Sequence, residues 1–137
     1  MDGAGRSLGL RRGCGVALEQ NDGRMVRVGE PGEYAINLIP LRQGVELDDF
    51  ARFSAEVDQP TLLAQDVVLG FDAYAVTRRD EGAPSVDIVE VMHVRSWSEW
   101  VDVRDNSEAI KPVGAGFEER VDPSTVRTLF GSRIEPR

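Results

Sequence analysis

The chain has 137 residues, 41% of them hydrophobic, enough for the core of one small domain and too few for two. A formal net charge of -8 argues against nucleic acid and anionic membrane as partners, because both attract basic surfaces. One cysteine, Cys14, and one histidine, His93, exclude an intramolecular disulfide and the multi-cysteine zinc motifs, and no metal site is expected.

Residues 1–31 differ in character from the rest. Gly3, Gly5, Gly9, Gly13 and Gly15 alternate with Arg6, Arg11 and Arg12 and carry no apolar periodicity, so this stretch is expected to be a mobile extension. The glycines lack the strand and helix that would make a phosphate-binding loop, and Cys14 among them is expected to be a free thiol without a role. Asn21-Asp22-Gly23, flanked by two short apolar runs, is a hairpin signal. No run approaches the roughly 18 apolar residues of a membrane span. Residues 1–15 hold no apolar core of a secretory leader either, so the cytoplasm is the expected location.

The domain proper is expected over residues 32–137. Residues 34–41 read as a strand with Asn37 inside it and Pro40 near its end. Leu47, Phe50, Ala51, Ser54 and Val57 then recur at helical spacing, and Pro60 should end or kink that helix. Residues 67–77 form a second strand, joined through a polar turn at 78–84 to a third over 84–94, which suggests an antiparallel pair. Ser96-Trp97-Ser98-Glu99 is a capping box that starts a helix with Trp97, Trp100 and Val101 on its apolar side. Pro112, Gly114 and Gly116 divide this helical stretch into two pieces, near 97–106 and 107–119, before a last strand over 125–134. The order βαββαβ is that of an α+β, ferredoxin-like antiparallel sheet with both helices on one face.

The third strand carries the most chemistry. Alternation places Ile88, Glu90 and Met92 on one face and Asp87, Val89, Val91 and His93 on the other. A face packed against helices should be dry and apolar, which assigns it Val89 and Val91 and turns Glu90 toward the opposite side of the sheet. A carboxyl among apolar neighbours is pushed toward its neutral form, as a general acid or base requires; the competing reading is a structural carboxylate held by an arginine or by Tyr34. His93, at the strand end, is the second catalytic candidate, since imidazole moves protons near neutral pH. Asp58 beside the turn after the first helix, Asp72 and Tyr74 sharing a face of the second strand, and Asn37 inside the first strand are candidates for binding substrate. Trp97 and Trp100, three residues apart, read as core rather than as a base-stacking platform.

Asp58-Gln59-Pro60, Val68-Leu69-Gly70-Phe71, Asp87-Ile88-Val89-Glu90-Val91, Phe117 and Val121-Asp122 succeed one another in an order and spacing that resembles the RedY/HapK-like family associated with prodiginine and bisindole biosynthesis in bacteria. The resemblance runs from about residue 33 to residue 134. It implies a dimeric α/β barrel and a cofactor-independent enzyme that tailors an aromatic, indole- or pyrrole-derived intermediate by cyclisation, dehydration or a related proton transfer. Two other readings stay open: a cofactor-free monooxygenase on the same barrel, and a non-catalytic ligand carrier or partner of a pathway enzyme.

Overall fold

The computed structural model describes residues 17–21, 24–28 and 32–137. The expected mobility of residues 1–31, and Cys14 with it, falls largely outside them. Two compact units divide at Gly32. In the first, β1 (Ala17–Asn21) and β2 (Arg24–Val28) pair antiparallel with Asn21 opposite Arg24, while Asp22 and Gly23 of the expected hairpin signal lie outside the described residues.

The second unit is built on a four-stranded sheet of β3 (Glu33–Ile39), β4 (Val68–Ala75), β5 (Ile88–Val94) and β6 (Arg127–Gly131), in the order β4-β5-β3-β6 with every neighbour antiparallel. Each strand stops where its chemistry changes. Pro40, which has no amide to donate, comes directly after β3, and the polar stretch through Gly82 at φ 88° separates β4 from β5. The helices are α1 (Leu47–Phe53), α2 (Gln59–Leu63), α3 (Trp97–Asn106) and α4 (Lys111–Arg120). This is the βαββαβ, ferredoxin-like arrangement expected from the sequence.

Three local details differ from that expectation. First, Pro60 does not end the first helix: residues 47–63 stay helical because a π turn at Ser54–Asp58 links α1 to α2. Second, only half of the capping box forms. Ser96 Oγ accepts from the Glu99 amide at 3.3 Å, but the Glu99 carboxylate accepts from Arg95 Nε at 2.9 Å; the next amide, that of Trp97, donates to Glu33 Oε1 at 2.7 Å. Third, the second of the two expected helical pieces starts at Lys111 and not near 107, with Pro112 in its first turn, where a missing N–H costs nothing.

The core settles which sheet face is dry. Ala35, Ile39, Phe71, Ile88, Met92 and Val94 are buried together with Phe50, Phe53, Trp100 and Val113 of the helices. Along β5 the buried positions are Ile88, Glu90, Met92 and Val94. Glu90 therefore lies beneath the helices, and the assignment of Val89 and Val91 to that side is overturned; they lie on the open face. Both β5 faces are apolar, so hydrophobicity alone could not choose between them. By the same register Ile88 and Met92 also lie on the helix side, as does Phe130, which is opposite Ala35 and meets the Trp97 ring edge-on at 4.9 Å. The open face carries Tyr34, Ile36 and Leu38 of β3, Asp72 and Tyr74 of β4, Val89, Val91 and His93 of β5, and Leu129 of β6.

Candidate active site

Register brings Glu90, Asn37 and Thr128 into one row across β5, β3 and β6. Thr128 Oγ1 donates to Asn37 Oδ1 at 2.8 Å, and Asn37 Nδ2 donates to Glu90 Oε1 at 3.4 Å. Glu90 Oε2 is buried with no hydrogen-bond partner among the described residues. That is a costly condition for a carboxylate and a milder one for a neutral acid. Asp58, 4% exposed, enters the same space from the helical layer.

These groups line a cavity of about 600 Å³ between sheet and helices. Its walls include Trp97 and Trp100 of α3, Phe117 of α4, Leu62 of α2 and Met92 of β5, and Arg104 and Lys111 add two cations. Desolvation pushes the Asp58 carboxyl up to about 7. Burial also pushes Glu90 up to about 8, and the Asp58 charge adds to the rise while the Asn37 amide opposes it. Two carboxyls that resist simultaneous ionisation share their protons as a pair. Such a pair can donate to a carbonyl and accept from an acidic C–H or N–H within one bound state.

Of the residues picked out from the sequence, the structure gathers Glu90, Asp58 and Asn37. It does not gather His93, Asp72 and Tyr74, which lie on the opposite face of the sheet. There His93 stacks on Tyr34 with ring centroids 4.2 Å apart, and Tyr74 is 56% exposed. Asn37 contacts the acid itself, through the bond described above. Sequence reasoning missed Thr128, whose place depends on cross-strand register. It also took Trp97 and Trp100 only as core, whereas they are both core and cavity wall.

Fold and site together define a small α+β protein with a ferredoxin-like sheet and a carboxyl pair buried in an aromatic-walled cavity. Residues 33–134 match the family model of the REDY-like protein HapK, and the chain belongs to that family. HapK from Hahella chejuensis superposes with a TM-score of 0.62 at 18% identity, covering 77% of this chain and 95% of that one. A DABB family protein with a ferredoxin-like fold from Mesorhizobium loti gives 0.54 at 11% identity, covering 77% and 100%. A dimeric ferredoxin-like protein from Thermobifida fusca gives 0.52 at 13%, covering 74% and 91%. No curated protein matches the sequence. Among the described residues no helix is long and apolar enough to cross a membrane.

Proposed function

We propose that the chain is a cofactor-independent cytoplasmic enzyme of aromatic natural-product biosynthesis, acting on an indole- or pyrrole-derived intermediate by cyclisation, dehydration or a related proton transfer. The observation that carries this reading is Glu90 Oε2, buried and without a partner among the described residues, in an aromatic-walled cavity beside a second buried acid. Trp97, Trp100 and Phe117 would hold a flat aromatic ligand by burial and edge or face contacts. In the mechanism, Glu90, protonated below about 8, gives its proton to the substrate from Oε2. Asp58, poised near 7, takes one from the adjacent position. Asn37 keeps Oε1 occupied. His93, Asp72 and Tyr74 have no part in this step.

Trp97 and Trp100 are the only tryptophans, so their fluorescence reports cavity occupancy directly. Indole and bipyrrole probes are expected to quench it. Glu90→Gln should leave that binding within a few-fold while turnover of the natural intermediate falls about 10²- to 10⁴-fold, the usual contribution of a general acid or base. Unchanged turnover in Glu90→Gln, with binding intact, would remove the proton-transfer mechanism. Oxygen consumption during turnover would replace it with an oxygenase, and retention of ligand without turnover would leave a carrier.

We also infer a homodimer formed through the open sheet face. Ile36, Leu38, Val89 and Val91 are only half-buried there and Leu129 is 59% exposed, a contiguous apolar surface of the kind that marks an interface. That the neighbour from Thermobifida fusca is described as dimeric supports a homodimer.

A further inference from the structure

The π turn at Ser54–Asp58 decides which side chain the first helical layer offers to the cavity. With 3.6 residues per turn, an unbroken α-helix that buries Phe50, Phe53 and Ser54 next buries position 57, which is seven, four and three residues on. That residue is Val57. Instead Val57 is 38% exposed, and the next buried positions are Asp58 and Leu62. The register slips by one residue within the π turn. A single wide turn of this kind inside an α-helix is uncommon and concentrates at functional sites.

Two neighbours hold the turn open. The Pro60 ring has no N–H for the Glu56 carbonyl and in a regular α-helix would press against it. The Gln59 backbone N–H donates five residues back, to the Ser54 carbonyl, and its side-chain Nε2 donates to Ser54 Oγ at 2.9 Å. Ser54 is itself buried, so this clasp is anchored in the core.

We propose that Pro60 and Gln59 are positioning residues: by holding the π turn open they place Asp58, in place of Val57, on the cavity side of the helix beside Glu90. The proposal rests on Asp58 and Glu90 as the proton-exchanging pair, but its test needs no substrate. The readout is the titration midpoint of Glu90 in the ligand-free full chain, tracked by the infrared band of its protonated carboxyl and assigned by difference from Glu90→Gln. Exchanging the two side chains, Val57→Asp with Asp58→Val, should take the second acid out of the cavity and lower the midpoint by about one pH unit, a roughly tenfold drop in proton affinity. Pro60→Ala, which lets the helix close to regular α geometry, should do the same. Combining Pro60→Ala with the exchange should restore the original midpoint, because position 57 then faces inward and carries the acid.

A wild-type midpoint in Pro60→Ala, or no restoration in the combined variant, would overturn the proposal. If Pro60→Ala does not fold, the unmodified chain still decides. A through-hydrogen-bond NMR coupling from the Gln59 amide to the Ser54 carbonyl supports the clasp, and a coupling to the Ala55 carbonyl overturns it. Should Glu90→Gln retain full turnover, the catalytic reading fails while these titrations continue to test the placement.

Discussion

Glu90 and Asp58 bind protons more tightly in the fold than in the unfolded chain, and this fixes the sign of their effect on stability. For an acid whose native value is raised, the folded state holds more protons through the window between its two values, so stability falls as pH rises there. The window runs from 4.5 to about 8 for Glu90 and from 3.8 to about 7 for Asp58. The chain is therefore expected to unfold more easily at pH 8 than at pH 5. Glu90→Gln, which cannot ionise, should flatten much of that slope and make the protein more stable than wild type at pH 8. The gain should be on the order of 1 kcal/mol or more, since each tenfold difference in proton affinity between folded and unfolded chain is worth about 1.4 kcal/mol. Denaturant midpoints of both proteins from pH 5 to 8 measure it; parallel curves would mean that Glu90 is ionised in the fold. Glu90 was legible in the sequence because a carboxyl in an apolar strand is expensive unless it is used. Its side of the sheet was not legible, since Val89 and Val91 make the other face equally apolar.

At the scale of elements, α4 meets the flank of the π turn through Gly116. A Cβ there would sit 2.5 Å from Phe53 Cε1, and that ring is pinned by burial and by the Arg120 guanidinium 4.7 Å from its centroid. Gly114, two residues earlier in the same helix, meets nothing within 4 Å. Gly114→Ala should thus gain up to about 1 kcal/mol from helix propensity. Gly116→Ala should lose stability instead, because overpacking costs typically about 1–3 kcal/mol and outweighs the same gain. Thermal melting of the two variants should shift in opposite directions. The βαββαβ order was readable because each element carries its own period and its own stops. The π turn was not, since Leu47, Phe50, Ala51, Ser54 and Val57 satisfy a regular helix and only packing shows that Asp58 is the residue inside. Pro60 was the one local signal, and by itself it reads as an ending.

For the whole molecule, the open sheet face sets the expectation of assembly. Sedimentation at micromolar concentration should give a dimer. Val91→Arg, which puts a charge in the middle of the proposed contact, should give a folded monomer with the Glu90 titration unchanged, because the cavity lies on the other side of the sheet. A wild-type monomer would leave the open face without an occupant. The row beneath the helices also ties the site to the pairing of the strands. Asn37 reaches Glu90 across 53 residues of sequence and Thr128 across 91. Contacts so distant in sequence each close a long loop and are made only when the strands of the sheet have paired. By donating to Asn37 Oδ1, the Thr128 hydroxyl decides which end of that amide faces Glu90, so the pairing of β6 with β3 orients the one group that opposes the rise in the Glu90 proton affinity.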